Sequence, residues 1–150
     1  MKIAGLAKTS FVDYPGKIAC VVFTAYCNMK CGYCHNKHII TGDVPLMDNA
    51  EVFNYIVKRR DVLGAVVITG GEPTLQKMLI PFIESIKRLG LCVKLDTNGT
   101  NPNVIQQLLD KNLLDYIAMD VKAPLHKYFE VVGVPVDVNA VTASIHILKN

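Results

Sequence analysis

Strand-like and helix-like patterns alternate along most of this 150-residue chain. Apolar, largely β-branched runs bounded by turn residues predict four buried strands. They cover residues 18–25, 65–69, 91–97 and 115–124. The last three recur about every 25 residues, and a crossover of that length suits right-handed βα units with parallel strands. The rhythm predicts an α/β fold.

Amphipathic patterns typical of helices fill the intervals between these strands. One begins at the capping residue Asp48 or Asn49, and a second is opened by Pro81 and closed by Gly90. Two more cover residues 103–112 and 139–150. About four βα units are thus present, whereas a closed eight-stranded barrel needs about 250 residues. We therefore expect a partial (β/α) barrel that forms a single domain, residues 1–150.

Composition narrows the function classes. Hydrophobic residues make up 51% of the chain, enough for a sizeable core, and the net charge is only +3. The positive charges are scattered and not interleaved with aromatic residues, so nucleic-acid binding is not expected. No apolar run reaches about 18 residues, so a membrane helix is not expected either. The segment before the first strand lacks the long apolar core of a signal peptide, which predicts a cytoplasmic protein.

Three of the five cysteines lie within eight positions, with the spacing Cys-x3-Cys-x2-Cys: Cys27, Cys31 and Cys34. In a reducing compartment, clustered cysteines are more often metal ligands than disulfides. A cubane iron–sulfur cluster bound by three cysteines keeps one iron without a protein ligand. The alternative is a zinc site to which His35 or His38 supplies a fourth ligand. Spacing alone leaves both interpretations open and favours the cluster.

The two remaining cysteines have a plainer interpretation. Cys20 and Cys92 lie inside apolar predicted strands. A free cysteine in such a place usually packs as a small buried hydrophobe. We expect both to be core residues without a role in the chemistry.

Every chemically distinctive stretch lies at or just after the carboxyl end of a predicted strand. These stretches are the cysteine loop, "GGEP" at 70–73, "DTNG" at 96–99 and "DVK" at 120–122. In parallel α/β sheets, ligands bind beyond the carboxyl ends of the strands. We therefore expect the four stretches to converge on one site.

"CNMKCGYC", followed after the next strand by "TGGEP", resembles the radical S-adenosylmethionine (SAM) superfamily, with Tyr33 as the aromatic residue of the cysteine signature. The resemblance implies that Cys27, Cys31 and Cys34 hold a [4Fe–4S] cluster. It also implies that the fourth iron is left for the amino and carboxylate groups of SAM. An electron from the cluster would then cleave SAM to a 5′-deoxyadenosyl radical that abstracts a hydrogen atom.

A narrower resemblance covers residues 2 to about 125. "DYPGK", "CHN", "DTNGT" and "YIAMDVKAP" are similar to the glycyl-radical-enzyme activases, most of all to the activating proteins of anaerobic ribonucleotide reductase. The implied partners are that large glycyl radical enzyme and an electron donor of flavodoxin or ferredoxin type. The alternatives are activation of another glycyl radical enzyme, of the pyruvate formate-lyase type, and a zinc-stabilised binding module.

The resemblance also implies cofactor-binding residues after the second strand and in the cysteine loop. Gly70, Gly71, Glu72 and Pro73 would bind the amino group of SAM, and Tyr33 would pack near its adenine. An ammonium group requires carbonyl or carboxylate acceptors, and a flat ring suits stacking. The plainer interpretation of "GGEP" is an ordinary strand-to-helix turn.

Four further residues follow the third and fourth strands. The resemblance places Asp120 and Lys122 near the ribose and carboxylate of SAM, and strand alternation would put both side chains on one face. It also suggests an oxygen-lined cation site formed by Asp96, Thr97 and Asp120, since hard oxygen donors suit such an ion. The plainer interpretations are a turn at the end of the strand for Asp96 and Thr97, and a surface ion pair for Asp120 and Lys122. No catalytic residue is predicted beyond the cluster and SAM.

The chain ends within its predicted fourth helix, which indicates a short or truncated form of the barrel. The last parallel strand would then be an edge without the lysines or prolines that usually protect one. We expect another chain to cover this edge. A two-fold homodimer is one way to do so, because such interfaces are self-complementary.

Overall fold

The structure is a computed structural model that describes residues 1–149. Within them, the strands are β1 Ile3–Ser10, β2 Ala19–Thr24, β3 Ala65–Gly70, β4 Cys92–Thr97 and β5 Tyr116–Met119. The helices are α1 Lys37–Ile40, α2 Asn49–Arg59, α3 Leu79–Lys87, α4 Pro102–Asp110, α5 Tyr128–Val132 and α6 Val138–Lys149. Two short 3₁₀ turns lie at Pro73–Leu75 and Leu125–Lys127.

The strands form one sheet in the order β1-β2-β3-β4-β5. Strands β2 to β5 are parallel, and α2, α3 and α4 connect them in turn. This confirms the predicted α/β fold and its run of four parallel strands. The antiparallel strand β1 was not predicted. Its sequence, "IAGLAKTS", is rich in small residues and shows no clear alternation of apolar and polar positions.

Each face of the sheet has its own core. The face that packs against the helices buries branched residues of the central strands, such as Val22, Ile68 and Leu95. The opposite face is covered near its amino end by the segment 11–17, whose Tyr14 packs on small residues of β2 and β3. The Lys94 side chain holds this segment, because its Nζ donates to the main-chain oxygen of Asp13 at 2.7 Å.

Two helix starts test the predicted boundaries. Asp48 caps α2 and accepts a hydrogen bond from Ala50 N at 2.7 Å, as predicted. Helix α3 begins at Leu79, so the prediction that Pro81 opens it was wrong by two residues. A proline fits there because the N–H groups of a helix's first turn have no acceptor within the helix.

The edge strand β5 is shorter than predicted. It ends at Met119, so Asp120 and Lys122 lie beyond the strand, and the prediction that alternation sets their directions was wrong. The last hydrogen bond of its ladder with β4 runs from Asp120 N to Thr97 O at 2.9 Å. The position of β5 at the sheet's edge agrees with the prediction.

The segment after β5 builds a third, smaller core that was not predicted. It packs beneath the cysteine loop and consists of Met29, Cys31, Ala123, Tyr128, Val132 and Val141. Helix α6 matches the predicted fourth helix, except that Asn150 lies outside the described residues. Ser144 of α6 donates to Gly99 O at 2.7 Å and so ties the helix to the loop after β4. In residues 1–149, no helix is both long and apolar enough to cross a membrane.

Candidate functional site

Residues from all four distinctive stretches line one cavity of about 70 Å³ at the carboxyl edge of the parallel strands. The lining residues are Cys27, Met29, Cys31, Tyr33, Cys34, Ile40, Gly70, Asn98 and Lys122. The cysteine loop follows β2, Gly70 ends β3, and Asn98 and Lys122 follow β4 and β5. The other predicted residues lie outside this lining: Gly71, Glu72, Pro73, Asp96, Thr97 and Asp120.

The cysteine loop folds back on itself through its main chain. Cys34 N donates to Cys31 O at 3.1 Å, and Met29 N donates to the Sγ of Cys27 at 3.4 Å. Cys31 is buried, while Cys27 and Cys34 are half-buried. A second, wider cavity of about 610 Å³ also contacts Cys27 and Cys31. Two of the three cysteines are thus flanked by cavities on two sides.

The segment after β5 fixes this loop from below. Lys30 N donates to Val132 O at 2.8 Å. Gly133, which ends α5 with a φ of +70°, lies so near that a Cβ on it would be 2.9 Å from Lys30 O. The Tyr128 ring is buried in the same small core. The cysteine loop is therefore held by residues roughly 100 positions further along the chain.

Gly71 is placed by the start of the cysteine loop. Its own N–H donates to Thr24 O at 2.8 Å, and the next N–H, of Glu72, donates to Tyr26 O at 2.7 Å. A Cβ on Gly71 would lie 2.0 Å from Tyr26 O, which no side chain can tolerate. The second glycine of "GGEP" therefore has a packing reason: it lets two main chains approach each other closely.

Glu72 is fully buried and bonded within the protein. Its Oε1 accepts from Thr74 N at 3.0 Å, from Thr74 Oγ1 at 2.5 Å and from Thr97 Oγ1 at 2.7 Å. Its Oε2 accepts from Asn98 N at 2.7 Å. Burial raises the pKa of this carboxyl group, and the four hydrogen bonds act in the opposite direction. Glu72 therefore joins the loops after β3 and β4 and fixes their relative position.

Asn98 links that carboxylate to the cysteine loop. Its side-chain amide donates to Asn28 Oδ1 at 2.8 Å and points at the Sγ of Cys27 from 3.9 Å. The sequence interpretation treated Asn98 as a turn residue and missed this contact. Its place directly after a strand, in the stretch expected to reach the site, was the available signal.

Asp120 and Lys122 form an ion pair, with Nζ 2.7 Å from Oδ2. Burial alone would lower the pKa of Lys122, but the hydrogen bond and charge of Asp120 raise it overall. The Lys122 main-chain N donates to the Tyr128 hydroxyl at 3.2 Å, so the small third core also positions this residue. Tyr33, 54% exposed, lies at the rim of the same cavity.

The three residues predicted for a cation have other partners. Asp96 Oδ1 lies 3.1 Å from Lys94 Nζ, an ion pair whose geometry is not that of a hydrogen bond. The hydroxyl of Thr97 donates to Glu72, and Asp120 is paired with Lys122. Among residues 1–149, no group of three His, Cys, Asp or Glu side chains is already gathered around a point that could hold a metal ion. The cation site stays a prediction.

The cysteine loop nevertheless fits an iron–sulfur cluster. Burial raises the pKa of the Cys27 thiol, the Met29 N–H lowers it, and the negative charges of Glu72, Cys31 and Cys34 raise it further. Three thiolates whose negative charges act on one another require positive charge among them, which iron ions supply. Within the described residues, no histidine is among those that line either cavity beside the thiols. This donor set matches a three-cysteine cluster better than a zinc site completed by His35 or His38.

Comparison with known proteins agrees with this geometry. A family model described as the radical SAM superfamily matches residues 21–150. A Methanocaldococcus jannaschii protein, provisionally named a glycyl-radical enzyme activating enzyme, is 45% identical over 133 residues, 87% of this chain and 54% of that protein. The 7-carboxy-7-deazaguanine synthase of Neisseria meningitidis serogroup B is 34% identical over 108 residues, 72% of this chain and 45% of the synthase.

A solved structure shares the fold. The crystal structure of QueE from Escherichia coli aligns with a TM-score of 0.57 over 99% of this chain and 76% of that one, at 17% identity. The chain spans about half the length of the curated relatives described above. Because the family model covers most of the chain and a relative is 45% identical over 87% of it, the chain belongs to the radical SAM superfamily, a family that implies a [4Fe–4S] cluster and SAM as cofactors.

Proposed function

We propose that this chain cleaves SAM reductively and generates a glycyl radical in a large partner enzyme, anaerobic ribonucleotide reductase. The observation that supports this most is the cavity at which three cysteines meet residues that end or follow three other parallel strands. The relative that is 45% identical, provisionally named a glycyl-radical enzyme activating enzyme, supports the reaction class. The choice of partner rests on the sequence motifs of the loops.

Cys27, Cys31 and Cys34 are the proposed ligands of the [4Fe–4S] cluster, which when bound supplies the electron that cleaves SAM. Gly70 ends its strand with a φ of +110° at a place where a Cβ would lie 2.5 Å from Thr24 N, and it lines the cavity. Lys122 brings a positive charge suited to the carboxylate of SAM.

Tyr33 and Pro73 complete the proposed assignment. Tyr33 lies at the cavity rim, where a flat ring can cover adenine. Pro73 is buried and opens the 3₁₀ turn after Glu72, so its contribution is to the shape of the loop. Glu72 and Gly71 likewise act by fixing the loops, because the carboxylate has four donors within the protein.

The electron donor is proposed to dock beside the wider cavity. Lys30 and Lys37 are among the residues that line it, together with Cys27 and Cys31, and no carboxylate is among its described lining residues. An acidic protein of flavodoxin or ferredoxin type would be attracted to such a surface. Reduction rates that fall as salt rises would support this placement, and rates independent of salt would contradict it.

Two measurements test the proposed function. Anaerobically reconstituted protein should hold about four irons per chain with matching sulfide; one tightly held zinc and no iron would instead support a zinc-stabilised binding module. Reduced protein, SAM and a candidate partner should then yield a glycyl radical detectable by electron paramagnetic resonance. A signal with pyruvate formate-lyase and none with anaerobic ribonucleotide reductase would overturn the choice of partner.

A second candidate function has its own support. The synthase from N. meningitidis is 34% identical over 72% of this chain. The chain is therefore also a candidate for formation of 7-carboxy-7-deazaguanine. The test is to incubate the reduced protein with SAM and candidate precursors of 7-carboxy-7-deazaguanine and to look for that product by chromatography. Its detection, together with no glycyl radical in either candidate partner, would favour the synthase over the activase.

A further inference from the structure

The side chain of Asn98 is buried, and all its hydrogen-bonding capacity is used. Its Oδ1 accepts from Thr100 N at 3.1 Å and from Thr100 Oγ1 at 2.7 Å. Its Nδ2 donates to Asn28 Oδ1 at 2.8 Å and lies 3.9 Å from the Sγ of Cys27. An amide has two acceptor sites and two donor hydrogens, so these contacts account for every one of them.

The contacts also fix which way the amide faces. If the side chain were flipped, Nδ2 would face the Thr100 N–H and Oδ1 would face the oxygen of Asn28. Asn28 is itself held in place, because its Nδ2 donates to Thr100 Oγ1 at 2.9 Å. The hydrogen bonds with Thr100 and Asn28 therefore direct the side-chain N–H of Asn98 toward Cys27.

The main chain of Asn98 is fixed independently of the cysteine loop. Its N–H donates to the buried carboxylate of Glu72 at 2.7 Å. The backbone of the residue is thus attached to the end of the sheet, and its side chain reaches across to the cysteine loop. An N–H held in this way needs no reorganisation to meet a charged sulfur.

We infer that Asn98 is a positioning residue that donates an N–H···S hydrogen bond to the Cys27 thiolate and thereby raises the reduction potential of the cluster. The inference rests on the proposed function in one respect, that Cys27 is a cluster ligand. A donor beside a ligand sulfur stabilises the extra negative charge of the reduced cluster. Removal of the donor therefore makes reduction harder without removing a ligand.

The test is a redox titration of the reconstituted cluster, followed by electron paramagnetic resonance, in the wild type and in Asn98→Ala. The iron content should stay near the wild-type value. The equilibrium constant for one-electron reduction should fall roughly tenfold, a midpoint lower by about 59 mV. Asn98→Asp, which replaces the donor by a negative oxygen of the same size, should lower it further.

The matched control is Asn101→Ala. Asn101 lies in the same loop, and its amide donates to Thr74 Oγ1 at 2.8 Å rather than to a sulfur. A purely structural role would make the two alanine variants alike, both in thermal unfolding and in potential. A midpoint in Asn98→Ala equal to that in Asn101→Ala would overturn the inference.

A second variant keeps the test decisive if Asn98→Ala does not fold. Thr100→Val removes the hydroxyl that donates to Asn98 and accepts from Asn28, so it loosens the amide without deleting it. The potential should fall in the same direction by a smaller factor, and an unchanged potential would contradict the inference. Failure of the wild type itself to bind iron would instead contradict the proposed function, so the two failures are distinguishable.

Discussion

Two neighbouring parts of the sheet's carboxyl edge treat their reactive groups in opposite ways. The Glu72 carboxylate has no exposed surface and accepts four hydrogen bonds from within the protein. The three thiols of the cysteine loop lie beside cavities, and the Sγ of Cys27 accepts hydrogen bonds from Met29 N and from the Asn98 amide. The first region is completed by the fold, whereas the second is where the proposed cluster would bind. A conspicuous motif can thus be either scaffold or binding site.

The largest expected effect distinguishes ligand thiols from buried ones. Replacement of Cys27, Cys31 or Cys34 by Ala should abolish cluster binding, measured as iron and sulfide per chain. Cys20→Ala and Cys92→Ala are the matched controls, because Cys20 packs in the helix-side core and Cys92 beside the opposite one. They should keep their iron and lose some stability. Loss of iron in Cys92→Ala but not in Cys31→Ala would reverse the assignment.

The next largest effect tests whether Glu72 holds the loops after β3 and β4 together. Glu72→Ala would leave buried donors of Thr74, Thr97 and Asn98 unsatisfied, at a cost of about 3 kcal/mol or more in the free energy of unfolding. Glu84→Ala is the control, since it breaks only the exposed pair with Lys111 and should cost below about 1 kcal/mol. Urea unfolding of the metal-free proteins measures both. Equal costs would show that Glu72 does not hold the loops together.

A smaller effect distinguishes Gly71, which packs on the start of the cysteine loop, from Gly32, which lies within the loop. Gly71→Ala would place a Cβ 2.0 Å from Tyr26 O and should cost about 1–3 kcal/mol through displacement of the main chain. Gly32→Ala would place one in open space, with no atom within 4 Å. Thermal unfolding compares them. A Gly32→Ala variant as unstable as Gly71→Ala would mean that the loop is as tightly packed as the scaffold.

The effect that is smallest at neutral pH is a pH dependence of the metal-free protein, which appears only in alkaline solution. Burial raises the pKa of Cys20 from 9.0 to about 12. The folded state then keeps a proton that the unfolded state loses, so this contribution to stability is present below about pH 9 and is lost as the pH rises toward 12. Cys20→Ala should show a flatter decline in unfolding free energy above pH 9. If unfolding free energy fell equally with pH in the wild type and in Cys20→Ala, the raised pKa of Cys20 would be contradicted.

Much of this arrangement could be predicted from the sequence. The four parallel strands follow local periodicity, and the stretches after them converge because parallel strands share an edge. The long-range contacts could not be predicted. The packing of Gly71 on Tyr26 and of Val132 on Lys30 joins residues far apart in the chain, and no local pattern marks such pairs. Strand β1 was missed because its register is set by β2 rather than by its own alternation.

The anchoring of the cysteine loop by α5 has a consequence for biosynthesis. Lys30 is made early, but Val132, which accepts its N–H, leaves the ribosome roughly 100 residues later. At about 5–20 residues per second, the loop is without its support for some 5–20 seconds of translation. Cofactor delivery to a nascent chain would therefore meet three unsupported thiols. Cluster assembly should therefore be most efficient once α5 has been synthesised and the loop has folded on it.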